Sequence, residues 1–135
     1  MCSGVESNSA QPRTYQLAIR IARTIRIQVG RLGQFTFPAG RYVYTGSARR
    51  GLVARIRRHL SRAKRLHWHI DYLLAAPGAK ITRVVLAGKP ECALNRSTRG
   101  VIVVPGFGSS DCGSGCGSHL KLVERAPRVH RAQGN

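Results

Sequence analysis

The sequence predicts a small α+β domain, because strand patterns come first and helices then alternate with strands. Apolar side chains occupy every second position from Tyr15 to Ile21, which is typical of a half-buried strand. Farther along, Leu52, Ile56 and Leu60 recur at every fourth position, which predicts the apolar face of a helix. The chain of 135 residues fits one such domain.

The first part of the chain is predicted to be mainly β structure. The alternation of the first strand resumes over residues 25–29, and residues 22–24 are predicted to turn a hairpin between the two strands. The Pro-Ala-Gly step at residues 38–40 marks another turn. A short β-rich run follows over residues 41–45.

The second part alternates helices and strands. The helix over residues 52–60 is followed by a helix over residues 68–74, which Pro77 and Gly78 end. Residues 81–86 are apolar and β-branched, which predicts a strand. A short helix over residues 91–96 begins after Pro90, and residues 101–104 are the last strand candidate. Residues 106–118, rich in Gly, Ser and Cys, are predicted to be loop.

The domain is expected to span residues 13–122. Residues 1–12 are polar and are expected to be a flexible tail, and residues 123–135 a basic C-terminal tail. No run of 18 apolar residues occurs, so no membrane-spanning helix and no membrane partner are expected. The N-terminus lacks the apolar core of a signal peptide, which predicts a cytoplasmic protein whose four cysteines form no disulfide framework.

Charge is the strongest feature of the composition. The chain has 23 Lys and Arg against 5 Asp and Glu, which gives a formal net charge of +18. Such an excess attracts polyanions over a long range, so nucleic acid is the predicted partner. The residues predicted to contact nucleic acid are Arg49, Arg50, Arg57, Arg58 and His69.

One constellation combines a strand end with a helix face. Tyr44-Thr45-Gly46 ends the β-rich run, and the helix that follows presents Arg55 and His59 at positions i and i+4, on one face. A guanidinium supplies forked donors to phosphate oxygens, and a phenol can position a water or accept its proton. His59 could alternatively stabilise the C-terminal end of its helix, and Tyr42 is interpreted as a core aromatic.

This stretch resembles the GIY-YIG nuclease superfamily, whose second half-motif is Tyr-x-Gly followed by a helix with Arg and often His. Further blocks resemble a branch of that superfamily found alone or appended to endonuclease III-like repair glycosylases. These blocks are residues 40–48, 67–74, 91–92, 105–112 and 118–120, within a resemblance that covers residues 13–122.

The resemblance implies a small central antiparallel sheet flanked by helices, and an endonuclease that acts on DNA, with a repair protein as a candidate partner. Tyr15, Tyr44, Arg55 and His59 would be catalytic, and Glu91 would hold one Mg²⁺ or Mn²⁺ ion. The first half-motif reads Arg13-Thr14-Tyr15 and lacks the usual glycine. The interval from Tyr15 to Tyr44 is also longer than usual, so it is expected to hold an extra hairpin.

Cysteine and histidine residues form a second group with two interpretations. Cys112, Cys116 and His119 have the short spacing of a zinc knuckle, and Cys92 could supply a fourth ligand. The alternative is a set of buried or reactive thiols. Two alternatives also stay open for the whole domain. It could be a nuclease, or it could be a basic module that binds nucleic acid without hydrolysing it and that a zinc ion could stabilise. Glu91 could itself be a helix N-terminal charge.

Overall fold

The computed structural model describes residues 13–61, 64–108 and 115–127. The strands are β1 (Thr14–Ile21), β2 (Ile25–Val29), β3 (Gly33–Phe37), β4 (Gly40–Ser47), β5 (Ala79–Ala87) and β6 (Leu120–Arg125). The helices are α1 (Leu52–Leu60), α2 (His69–Leu74) and α3 (Glu91–Ser97), and one 3-10 turn covers Gly30–Leu32. This mixture of an antiparallel sheet with three helices confirms the predicted α+β class.

Four strands form the main sheet in the order β5-β1-β4-β6, and every neighbouring pair is antiparallel. Strand β1 lies inside the sheet, and its alternating side chains Tyr15, Leu17, Ile19 and Ile21 are buried in the core. The period-2 pattern therefore predicted both the strand and its buried face. Within the described residues, no helix is both long and apolar enough to cross a membrane.

Strands β2 and β3 form a separate hairpin in the interval between Tyr15 and Tyr44. The extra hairpin expected there is confirmed, but the predicted β1–β2 hairpin over residues 22–24 is wrong. Both edges of β1 are already paired, with β4 and β5, so β2 has no place beside it. The turn of the hairpin lies at the 3-10 segment, where Gly30 (φ 50°) and Gly33 (φ 122°) adopt positive φ values that favour glycine.

Helix α1 packs on the core with most of the predicted face, except in its last turn. Leu52 and Ile56 contact the core, but Leu60 and Val53 are mostly exposed. The buried side chain in the last turn is His59, at 2% exposure. A polar residue takes this inward position because it has a hydrogen-bond partner beneath the helix.

The C-terminal part of the sheet also differs from the prediction. Residues 101–104 do not form a named strand, since Val101 makes only an isolated bridge to Leu122 before a turn begins. Strand β6 takes that place beside β4 and continues to Arg125, past the predicted boundary at residue 122. Its signal was short, because only Leu120 and Leu122 alternate inward.

Candidate functional site

The pair at the centre of the site is Tyr15 and His59. Tyr15 lies near the start of β1 and His59 in the last turn of α1, and the Tyr15 hydroxyl is 2.6 Å from His59 Nε2. Both side chains are nearly inaccessible, at 1% and 2% exposure. His59 Nδ1 is also buried and has no hydrogen-bond partner within the described residues. His59 therefore lies under the helix as a partner of the phenol.

Burial keeps both members of this pair neutral at neutral pH. It raises the pKa of Tyr15 to about 12, against the opposing effect of the nearby Arg55 guanidinium. Burial, reinforced by the charge of Lys64, lowers the pKa of His59 to about 4. A neutral imidazole with its proton on Nδ1 accepts a hydrogen bond from the Tyr15 hydroxyl at Nε2.

Tyr44 lies beside this pair on the neighbouring strand β4. Its ring centroid is 6.5 Å from that of Tyr15 and 6.1 Å from that of His59. Phe107 packs edge-on against the Tyr44 ring at 6.3 Å. Tyr44 is 8% exposed, and burial raises its pKa. The two tyrosines of the resemblance therefore lie together. Tyr42, by contrast, is a core residue whose hydroxyl donates to the Pro38 carbonyl, as interpreted from the sequence.

Arg55 reaches the same place from α1. Its Nη1 donates to the Ser47 carbonyl at 3.0 Å, and its guanidinium carbon lies 4.4 Å from the Trp68 ring centroid. The side chain is half-buried. The cation–π contact with Trp68 and the bond to Ser47 orient the guanidinium, which has five N–H donors in all.

Arg58 contrasts with Arg55, although it lies one turn further along α1. Its Nη1 and Nη2 donate to the two carboxylate oxygens of Asp71, at 2.7 and 2.8 Å, and Nη2 also donates to the Arg65 carbonyl. Asp71 is fully buried. Burial alone would raise the Asp71 pKa, but the hydrogen bonds from Arg58 and from the Trp68 amide outweigh it and lower that pKa. Arg58 thus has a structural partner.

Asp71 also organises the start of α2. One of its carboxylate oxygens accepts the backbone amides of His67 and Trp68, at 2.9 and 2.8 Å. Because α2 begins at His69, His67 lies before the helix and meets Asp71 through its backbone. His69 Nδ1 accepts the Gly108 amide at 2.9 Å, which gives that ring a structural contact.

Glu91 is the first residue of α3, and it is linked to Arg55 by Ser47, which bonds to both side chains. The Ser47 hydroxyl donates to Glu91 Oε1 at 2.6 Å, and the other carboxylate oxygen lies 2.9 Å from His119 Nδ1. Burial opposes ionisation, but the hydrogen bonds from His119 and Ser47 lower the Glu91 pKa. The carboxylate is therefore charged, and it keeps 29% exposure.

Ser47 is the residue that sequence reasoning did not select as a site residue. Its carbonyl accepts a hydrogen bond from Arg55, and its hydroxyl donates one to Glu91. Ser47 therefore connects the guanidinium to the carboxylate. The only signal was its place directly after Tyr-x-Gly. The Arg55 guanidinium also hydrogen-bonds to the Tyr15 hydroxyl. Together these contacts join Tyr15, Arg55 and Glu91 into one group, which we call the Tyr15–Glu91 site and which also includes Tyr44, Ser47 and His59.

A second group lies beside Glu91. The thiols of Cys92 and Cys116 and a ring nitrogen of His119 all lie within 4.8 Å of one another. We call these three residues the Cys/His cluster. Their ligand atoms are close enough to hold a metal ion. Cys112, the remaining predicted member, lies outside the described residues.

The arginines predicted to contact nucleic acid divide into two sets. Arg49 and Arg50, in the loop before α1, and Arg57, on α1, are exposed. Arg58 is half-buried and paired with Asp71. The β4–α1 loop and the outer face of α1 thus present exposed guanidinium groups a few residues from Ser47 and Arg55.

Comparison with known protein families matches residues 14–133 to a family described as "Domain of unknown function DUF123". No curated protein matches the chain significantly. No solved structure does either. The match covers all described elements from β1 to β6, including the Tyr15–Glu91 site and the Cys/His cluster. The chain therefore belongs to the DUF123 family.

Proposed function

We propose that this protein is a metal-dependent phosphodiesterase of the GIY-YIG type that cleaves nucleic acid, with DNA as the favoured substrate. The observation that carries the proposal is the chain of contacts from Tyr15 through Arg55 and Ser47 to Glu91, with His59 bonded to Tyr15. These residues come from two strands and two helices. Their assembly around one point is what the resemblance to GIY-YIG nucleases requires.

The role of Arg55 is to bind the scissile phosphate. Arg58 has two bonds to Asp71, whereas Arg55 hydrogen-bonds to the Ser47 carbonyl and the Tyr15 hydroxyl and remains half-exposed. Its other forked donors suit two non-bridging phosphate oxygens, and its fixed charge stabilises the charge that develops in the transition state. Arg55 is thus the guanidinium of α1 whose geometry favours catalysis.

Tyr15 and His59 position the attacking water. A phenol with a pKa of about 12 is protonated at neutral pH, so Tyr15 donates its hydrogen to His59 Nε2 and offers an oxygen lone pair. That lone pair can accept a hydrogen bond from water. As the water loses its proton to the phenolic oxygen, the phenolic proton passes to His59 along the existing 2.6 Å contact.

Glu91 fits the single carboxylate that would hold Mg²⁺ or Mn²⁺. It is ionised, each of its oxygens accepts one hydrogen bond, and each keeps further lone-pair capacity. One carboxylate suits Mg²⁺, which keeps most of its own waters. The ion, when bound, supplies positive charge to the leaving oxygen.

The experiment compares cleavage of nicked, branched and duplex DNA with and without Mg²⁺. Tyr15→Phe, Arg55→Ala and Glu91→Gln should each abolish metal-dependent cleavage, with losses of about 100-fold or more. Tyr42→Phe and Arg83→Ala are the controls, since they remove a core phenol and an exposed arginine outside the site. Equal losses in the controls would contradict the assignment.

A second candidate function is a nucleic-acid-binding module on the same fold that hydrolyses nothing. The observation that favours it is the burial of both phenols, which lie at 1% and 8% exposure beneath Arg55 and Glu91. The net charge of +18 supports binding in either case. Salt-sensitive binding of all the DNA forms without cleavage in Mg²⁺ or Mn²⁺ would favour the module.

The cellular setting follows from the same resemblance. The branch that the sequence resembles occurs alone or appended to endonuclease III-like glycosylases, which favours a DNA repair protein as a partner of this chain. A pull-down with such a glycosylase tests this partner, with and without DNA and with the wild-type chain or its Arg49, Arg50 and Arg57 variants. A contact bridged by DNA should need DNA and be weakened by these variants. A direct contact should persist without DNA.

A further inference from the structure

The Cys/His cluster lies where two separate parts of the chain meet. Cys92 is in the first turn of α3, one residue after Glu91, while Cys116 and His119 lie on the segment that enters β6. Their ligand atoms lie within 4.8 Å of one another although 24 residues separate the thiols in the chain. The fold therefore brings two thiols and an imidazole to one point.

The chemistry of this donor set points to zinc. We propose that the Cys/His cluster binds one Zn²⁺ ion. Zinc takes thiolate and imidazole ligands in tetrahedral geometry at about 2.3 and 2.1 Å, which places neighbouring ligand atoms about 3.5–3.8 Å apart. Ligand atoms that already lie within 4.8 Å need to move little to reach those separations.

The surrounding hydrogen bonds hold the His119 backbone in place. The His119 amide donates to the Phe107 carbonyl at 2.8 Å, and its carbonyl accepts the Thr45 amide at 2.9 Å. One residue earlier, the Ser118 carbonyl accepts the Asn95 side chain of α3 at 2.8 Å. These bonds tie the ligand segment both to β4 and to the helix that carries Cys92. Cys92, on its helix, and His119, held by these bonds, are thus positioned before the ion binds, which lowers the entropic cost of binding.

The ring of His119 is oriented for this role by Glu91. The Glu91 carboxylate lies 2.9 Å from Nδ1, which assigns Nε2 to the zinc. A carboxylate on the far nitrogen of a metal-bound histidine fixes its tautomer and increases its basicity as a ligand. Zinc would lie at the centre of the three ligand atoms, with the fourth position of the tetrahedron taken by water or another ligand.

Zinc binding would also position the Tyr15–Glu91 site. Glu91 contacts both His119 and the Ser47 hydroxyl, and the Ser47 carbonyl accepts a hydrogen bond from Arg55. An ion that fixes the His119 ring thereby fixes the carboxylate proposed to hold Mg²⁺. This coupling rests on the proposed function, whereas the zinc site itself does not.

The test uses the full chain, purified without a histidine tag under reducing conditions and stripped of metal. Co²⁺ is the spectroscopic probe, because thiolate ligation gives an intense charge-transfer absorption that oxygen or nitrogen ligands do not. We expect one equivalent of Co²⁺ with that absorption, displaced by one equivalent of Zn²⁺. Cys92→Ser and Cys116→Ser should lose the absorption, while Cys2→Ser, outside the described residues, should keep it.

Glu91→Gln is the variant that tests the orientation of His119. Loss of such a partner typically weakens metal binding about 10- to 100-fold, measured here by competition with a chelator. Absence of the charge-transfer absorption in wild-type protein, or recovery of Cys92 and Cys116 as a disulfide from the metal-loaded sample, would overturn the zinc site. The wild-type spectrum decides even if a cysteine variant fails to fold. Because no readout uses DNA cleavage, failure of the nuclease proposal would leave this result unaffected.

Discussion

The Tyr15 hydroxyl lies directly over the backbone of Gly46, its cross-strand partner in the β1–β4 ladder. A Cβ atom built on Gly46 would be 2.5 Å from the Tyr15 hydroxyl oxygen and 2.6 Å from the adjacent ring carbon. Real side chains do not approach so closely, so only glycine fits there. The glycine of Tyr44-Thr45-Gly46 is thus explained by the phenol that crosses it.

Gly46→Ala is therefore expected to destabilise the fold and displace Tyr15. Overpacking of this kind costs about 1–3 kcal/mol. The measurement is the free energy of unfolding from urea titration. Gly88→Ala is the matched control, because a Cβ at Gly88 meets nothing within 4 Å. It should change stability by less than about 1 kcal/mol. Equal effects at the two glycines would contradict the close approach.

Arg58→Met is expected to cost much more stability than Arg57→Met. Removal of Arg58 leaves the fully buried Asp71 carboxylate without its main partner, and breaking such a pair costs about 3 kcal/mol. Arg57 is exposed on the same helix, so its loss should cost less than about 0.5 kcal/mol. The free energies of unfolding at neutral pH give the comparison, and similar values for both variants would contradict the role of Asp71.

The stability that the Arg58–Asp71 pair contributes should depend on pH, because the pKa of Asp71 is lowered in the fold. Because the Asp71 pKa is lowered in the folded state, its stabilisation is present above the ordinary Asp pKa of about 4 and is lost as the pH falls through the lowered value. The difference in stability between wild type and Arg58→Met should therefore narrow in acid. A difference that stays constant down to pH of about 2 would argue against the ion pair.

The lowered pKa of His59 predicts a separate loss of stability in mild acid. Its pKa is lowered to about 4 in the fold, so the unfolded chain, with an ordinary His pKa of about 6.5, binds more protons between these values. Stability therefore falls as the pH drops from about 6.5 to about 4, by about 3 kcal/mol in all. His59→Gln can still contact Tyr15 but does not titrate, so its unfolding free energy should vary less over this range. Parallel curves for the two proteins would contradict the prediction.

Local patterns predicted the parts of the site that depend on one element. The spacing of Arg55 and His59 predicted a shared helix face, and the structure brings one to Ser47 and the other to Tyr15. The Tyr-x-Gly motif likewise marked the last residues of β4, which ends one residue later at Ser47. These features are encoded by neighbours a few residues apart, whose geometry a helix or strand fixes by itself.

The contacts that complete the site depend on distant pairing and had no local signal. Ser47 meets Glu91 across 44 residues, and Glu91 meets His119 across 28. Which of these polar residues would meet depends on the strand order, and β6 was not predicted. The prediction of a β1–β2 hairpin was wrong for the same reason, because β1 pairs with β4 and β5, which are more distant in sequence than β2.

The exposed arginines near the site predict the salt dependence of nucleic-acid binding. Arg49, Arg50 and Arg57 are all exposed. If each neutralises one phosphate, replacing all three by Gln should reduce the slope of log K against log salt concentration by about 2.7 on duplex DNA. Binding should weaken at low salt, and the loss should be similar for unrelated sequences, because phosphate contacts carry no base information.

A second triple variant separates a local interface from total charge. Arg23→Gln, Arg26→Gln and Arg31→Gln remove the same three charges at or beside the β2–β3 hairpin, where all three side chains are exposed. If binding occurs beside the Tyr15–Glu91 site, this variant should keep most of the wild-type slope, since the slope depends on the phosphates that the protein contacts. Fluorescence anisotropy across a salt series measures both slopes. Equal reductions would mean that the positive field of the whole molecule, rather than the β4–α1 surface, binds the backbone.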